Sequence, residues 1–184
     1  MIRTFIALEL PSVLKSELAS LNRRFQPLSP KPTNWVKPEI QHLTLLFIGE
    51  VQPRQITEIE ELLDNELNGF PAFHFTPEGL EFFPSVAPHL LWLKLAAEND
   101  DIFKLNRRLL KDLERMGIDA DRKTLKLHVT MARLKARFSP ELEREIMQSS
   151  LSREALNFNS ICLFKSVLHT SGPEYTVLHK YNLR

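Results

Sequence analysis

Apolar residues recur in this chain with two distinct periods. Short alternating or continuously apolar runs read as strands, and longer stretches with an apolar residue every third or fourth position read as helices. Thr4 to Glu9 predicts a buried strand. After Pro11 a helix runs to about Arg24, with Val13, Leu14, Leu18 and Leu21 on one side. Pro27, Pro30 and Pro32 make Gln26 to Asn34 an irregular loop. A strand begins at His42 and ends at Gly49. A helix from about Pro53 to Asn68 follows, with Ile56, Ile59, Leu63 and Leu67 at helical spacing. Phe73 to Phe83 and Leu90 to Leu95 predict two strands joined by a proline-containing turn. Asn99 to Met116 predicts an amphipathic helix carrying Ile102, Phe103, Leu109, Leu110 and Leu113, closed by Gly117. A strand from His128, a short helix from Pro140, and strands near Phe158 to Leu168 and Tyr175 to Leu183 complete the pattern.

Several strands follow one another through turns, so helix-linked parallel pairing is not required and an α+β class is expected. The part up to about residue 95 and the remainder each carry one copy of a short motif. That predicts a pseudo-repeat of two lobes across a cleft. No linker or low-complexity segment divides them, so residues 1–184 are expected to form one domain.

The motif is His-x-Thr on a strand. His42-Leu43-Thr44 and His128-Val129-Thr130 lie 86 residues apart, and strand alternation puts each histidine beside its threonine on one face. With six histidines and nine threonines in 184 residues, composition alone predicts roughly 0.3 such matches. The chain has three. His74-Phe75-Thr76 is the decoy, because Phe73 and Phe75 claim the core face and Pro77 cannot continue a central strand. The other two share aliphatic residues at their second and fourth positions and a distinctive sixth, Phe47 in one and Arg133 in the other. Strict alternation would turn Phe47 and Arg133 away from His and Thr, so a shared site requires each strand to twist, bulge or end nearby.

Paired imidazoles suit acid–base cleavage of a phosphodiester. One takes a proton from the nucleophile and the other gives one to the leaving oxygen. No carboxylate or cysteine joins either motif at metal-ligand spacing, so neither a metal nor a cofactor is expected. The net charge of +1 argues against a protein that coats nucleic acid through bulk charge. Arg122 to Arg137 nevertheless brackets the second motif with Arg122, Lys123, Lys126, Arg133, Lys135 and Arg137 and no acidic residue. The only cysteine, Cys162, sits in an apolar run and reads as a core residue of a reducing compartment. No stretch is apolar over the roughly 20 residues of a membrane helix, and a cytoplasmic location is expected.

Taken together these segments resemble the two-histidine phosphoesterase superfamily, specifically its RNA 2′,3′-cyclic phosphodiesterases, also called 2′-5′ RNA ligases. Arg3 to Pro11 resembles the family's opening strand. His42 to Glu50 and His128 to Arg133 resemble its extended motifs, Leu91-Trp92-Leu93 a mid-chain strand, and Ser166 with Gly172 to Tyr175 its closing hairpin. The resemblance implies a bilobal fold, two antiparallel sheet lobes with outer helices facing across a central cleft. It implies opening of a terminal 2′,3′-cyclic phosphate on RNA to a 2′-phosphate, without a metal. By that resemblance His42 is the proton donor to ribose O3′ and His128 the acceptor that activates water. Thr44 and Thr130 would hydrogen-bond phosphate oxygens, Arg133 would clamp the phosphate, and Phe47 would stack on the terminal base. RNA is the implied partner, and no protein partner is evident. Two departures stand out: Leu127 where the family often has Pro, and His89 where it often has Arg. The alternatives are 2′-5′ ligation or 2′-5′ phosphodiester cleavage by the same residues, and a non-catalytic RNA- or nucleotide-binding module.

Overall fold

The structure, a computed structural model, describes residues 1–169 and 172–184. In chain order it comprises β1 (Ile2–Glu9), α1 (Ser12–Phe25), β2 (Thr33–Trp35), β3 (His42–Val51) and α2 (Pro53–Leu67). These are followed by β4 (Phe73–Phe83), β5 (Leu90–Ala97), α3 (Asp101–Arg115), β6 (His128–Leu134), α4 (Pro140–Met147), β7 (Leu156–Phe158), β8 (Ser160–His169) and β9 (Gly172–Asn182). Every strand pairing among the described residues is antiparallel. The strands form one sheet in the order β7-β4-β5-β6-β3-β1-β8-β9, with β2 pairing β6. The two expected lobes are the halves of this curled sheet, and they meet where β3 pairs β6 at Leu43 and Val129.

The halves are not the first and second parts of the chain. β1, β3, β8 and β9 make the half that carries the first motif. β4, β5, β6 and β7 make the half that carries the second, with β2 on its seam. The strand expected near Phe158 to Leu168 is β8, while Phe158 itself ends the short β7, and the chain crosses from one half to the other at Asn159. β7 pairs Phe73–Phe75 of β4 on one outer edge, and β8 pairs β1 in the opposite half. A continuous apolar run is compatible with either arrangement, because only the partners distinguish them.

Helices cover the sheet face that bears Leu43, Leu45, Val129 and Met131, which join Leu14, Leu18, Leu105 and Leu109 in one core cluster. α3 packs on β3, where buried Asn106 donates its side-chain amide to the Leu45 carbonyl at 2.9 Å. α2 packs on β9 and α4 on β4, while Arg24 of α1 pairs with Glu145 of α4 at 2.7 Å. Gly117 ends α3 at φ 73°, a left-handed turn that glycine adopts without a Cβ penalty. Val13, expected on the apolar side of α1, is exposed; Leu14, Leu18, Leu21 and Phe25 carry that helix's burial. The proline-rich stretch is also more ordered than expected, since Thr33–Trp35 forms β2 against Leu134–Ala132. β4 runs through Pro77, beside a register shift and beyond the last residue paired with β7, where the strand has become an edge.

Candidate active site

The seam between the halves sets the geometry. Antiparallel pairing at Leu43 and Val129 turns those two side chains into the core, which leaves His42, Thr44, His128 and Thr130 on the uncovered face. In that register His42 comes opposite Thr130 and Thr44 opposite His128. The two motifs are therefore related by a local two-fold through the seam.

Both strands bulge at the same motif position. Opposite β1, Ala7 pairs with Thr44 and Ile6 with Leu46, so Leu45 is the extra residue. Opposite β5, Trp92 pairs with Thr130 and Leu91 with Ala132, so Met131 is the extra residue. A bulge resets the alternation by one residue. Phe47 and Arg133 return to the histidine face, and the conflict raised by strict alternation disappears. Phe47 is 48% exposed and its ring lies 6.0 Å from that of Phe5. Because the strands run in opposite directions, Phe47 and Arg133 stand at opposite ends of the site.

The imidazoles are held identically. His42 Nδ1 lies 2.8 Å from the Ile40 carbonyl, and His128 Nδ1 lies 2.8 Å from the Lys126 carbonyl. A carbonyl only accepts, so each Nδ1 carries the hydrogen and each neutral ring offers its Nε2 lone pair. Their walls differ. His42 is enclosed by Phe5 at 4.9 Å, Tyr175 edge-on at 5.3 Å and Phe164 at 5.9 Å. His128 lies 4.4 Å from Trp92, which stacks on Phe83 at 4.0 Å. Trp92 is buried and at the same time forms the wall of the site beside His128. Phe5, Phe83 and Phe164 carried no sequence signal beyond being apolar; Tyr175 was marked only through the resemblance of the closing hairpin.

Burial pushes His42 down to about 4, helped by the charges of His128 and Arg133 and opposed by its bond to the Ile40 carbonyl. Burial also lowers His128, aided by Lys126 and Arg133. Arg133 therefore acts on both imidazoles, and it also lowers Tyr175, whose net shift is upward through burial. The unfolded chain takes up protons before the folded one does. Stability from the neutral His42 ring is complete above about pH 6.5 and drains away as pH falls toward 4, a loss on the order of 3 kcal/mol. Urea unfolding should show a lower midpoint at pH 4.5 than at pH 7.5, and His42→Gln should flatten that difference. An equally steep dependence in the variant would place the acid sensitivity elsewhere.

His74 lies apart, half-exposed on β4, with Nδ1 3.5 Å from Glu98. The described residues contain no group of three or more His, Cys, Asp or Glu side chains arranged to hold a metal ion, and no helix long and apolar enough to cross a membrane.

Comparison with known proteins shows the family and the fold. The family described as LigT like Phosphoesterase matches residues 8–92, which include the first motif and Trp92. The RNA 2′,3′-cyclic phosphodiesterase of Thermotoga maritima is 31% identical over 180 residues, covering 97% of this chain and 94% of that protein. The chain belongs to the LigT-like phosphoesterases. It is thus an enzyme, a hydrolase of phosphate esters. The Archaeoglobus fulgidus protein of the same name is 28% identical over 181 residues, covering 97% of this phosphoesterase and 99% of its relative. The crystal structure of TT0787 from Thermus thermophilus superimposes with a TM-score of 0.82 at 27% identity, covering 100% of this chain and 98% of that one.

Proposed function

We propose that this LigT-like phosphoesterase, acting as one catalytic domain over residues 1–184, opens 2′,3′-cyclic phosphate ends of RNA to 2′-phosphomonoesters without a metal ion. The observation that carries the reading is the pair of imidazoles on one sheet face, each with Nδ1 tied down and Nε2 free, flanked by Thr44, Thr130 and Arg133. Relatives named RNA 2′,3′-cyclic phosphodiesterase support the substrate class.

In this reaction a water oxygen bonds to phosphorus while its proton passes to His128 Nε2. The P–O3′ bond breaks, and O3′ takes a proton from His42 Nε2. The product keeps its phosphate on O2′ and gains a free 3′-hydroxyl, and solvent exchange returns the two rings to their starting states. His42 must hold a proton for this, although burial and the nearby charge of Arg133 favour its neutral form in the free enzyme. The bound phosphodiester supplies the missing charge: its anion beside Arg133 and His42 favours the imidazolium. Arg133 spans two phosphate oxygens, the threonine hydroxyls donate to them, and Phe47 offers a ring face to the terminal base.

The decisive experiment incubates the enzyme with a short RNA ending in a cyclic phosphate, in excess EDTA, across pH 5 to 9. The expected result is uptake of one water, a 2′-phosphate by phosphorus NMR, and a bell-shaped rate profile. Loss of activity in EDTA that a divalent ion restores, or a 3′-phosphate product, would overturn the mechanism. Phe47→Ala should act mainly on KM, raising it by the roughly 5- to 150-fold that 1–3 kcal/mol of stacking implies, and should level any preference among terminal bases.

A further inference from the structure

The site has two unlike ends, and the one away from Arg133 holds a cation that the proposed reaction does not use. Residues preceding His128 run beside those following Thr44, and the backbone N–H of Asp121 donates to the Phe47 carbonyl at 2.9 Å. That bond ties Asp121 to Phe47, and the far end of the segment 121–127 is tied to β5, where the backbone N–H of Leu95 donates to the Leu127 carbonyl at 2.9 Å. Within it, Arg122 is paired with Glu114 at 3.0 Å and with Asp119 at 3.7 Å, and Lys123 with Asp121 at 3.1 Å. Lys126 is different. It is exposed, makes no ion pair among the described residues, and sets its Nζ 4.3 Å from the centre of the Phe83 ring.

Phe83 in turn stacks on Trp92, and Trp92 lies against His128. The charge is thus carried on an aromatic column rooted at one of the two imidazoles. A ring face steadies a flexible ammonium without neutralising it, as a carboxylate would. An anion arriving here meets a pre-placed charge with no competing partner. Lysine is a compact point charge that accepts a phosphate from many directions, whereas the planar Arg133 suits two-point contact with the reacting group.

An RNA end with its cyclic phosphate between the histidines and its base on Phe47 brings one more charge to this region: the phosphodiester on the 5′ side of the same nucleotide. We propose that Lys126, held over Phe83, binds that phosphodiester and so sets how strongly the enzyme favours a longer RNA end over a single nucleotide. The inference rests on the proposed function and names a further substrate-contacting residue of the same site.

The test compares kcat/KM for a trinucleotide ending in a 2′,3′-cyclic phosphate with that for the nucleoside 2′,3′-cyclic monophosphate of the same terminal base. It uses the native enzyme, Lys126→Met and Lys126→Arg, each checked for an unchanged melting temperature, over a range of salt concentrations. The native enzyme should favour the trinucleotide on the order of ten-fold, the increment of one charge-assisted phosphate contact. Lys126→Met should erase that ratio through KM and lower the trinucleotide's log–log salt slope by about 0.7, and Lys126→Arg should restore most of both. A native enzyme without the preference overturns the proposal. So does a Lys126→Met enzyme that loses equally on both substrates, which would assign Lys126 to the reacting phosphate or to His128. In either case cyclic-phosphate opening itself still stands. Failure to open either substrate overturns the proposed function, and this inference with it.

Discussion

His42→Ala and His128→Ala should each lower kcat for cyclic-phosphate opening by about 10²–10⁴-fold, the range for a positioned proton carrier. The double variant should fall little further, because the two imidazoles serve one proton traffic and their losses do not add. His74→Ala should match the native enzyme. The contrast is informative because all three histidines sit in a His-x-Thr on a strand, and only their surroundings differ. His42 and His128 lie on the uncovered face beside the seam, each with Nδ1 held by a carbonyl two residues back. His74 lies on β4 facing Glu98. Steady-state kinetics with circular dichroism on each variant decides the matter. A well-folded His42→Ala enzyme with native turnover would remove it from the proton path.

Arg133→Lys should cost on the order of 10²–10³ in kcat despite keeping the charge. Lysine does not reproduce two parallel donors to one phosphate, and the phosphate is where negative charge grows as the P–O3′ bond breaks. The Met131 bulge makes the prediction sharp. Without it Arg133 would point into the helix-covered core, and a lysine there would damage folding rather than turnover. Rapid-quench measurement of the chemical step, beside the melting temperature, separates the two. Near-native kcat in Arg133→Lys would hand the clamp to another cation.

The pattern of apolar positions was enough for the helices, because α2, α3 and α4 carry strong amphipathic periods and clear terminal signals. It was enough for the two motifs as well, since residue identity and alternation together place His beside Thr. Three things lay beyond it. A bulge has no fixed residue signature, so the return of Phe47 and Arg133 to the histidine face awaited the pairing of Ala7 with Thr44 and of Trp92 with Thr130. β2 hid among prolines, because three residues are too few to show a period. The enclosing rings of Phe5, Phe164 and Tyr175 come from strands far apart in sequence, and only the sheet order brings β1, β8 and β9 beside β3.

That sheet order also sets a timetable for synthesis on the ribosome. His42 and its motif emerge early, yet two of the three rings around that imidazole, Phe164 and Tyr175, belong to the last strands made. Trp92 and Phe83, the wall of His128, are already translated when His128 appears. Folding must hold β1 and β3 open at one edge until β8 and β9 arrive, and such distant pairings are the slow ones. A nascent chain released after β7 would carry both histidines and all the contacts of His128. It would still lack two of the three rings that enclose His42.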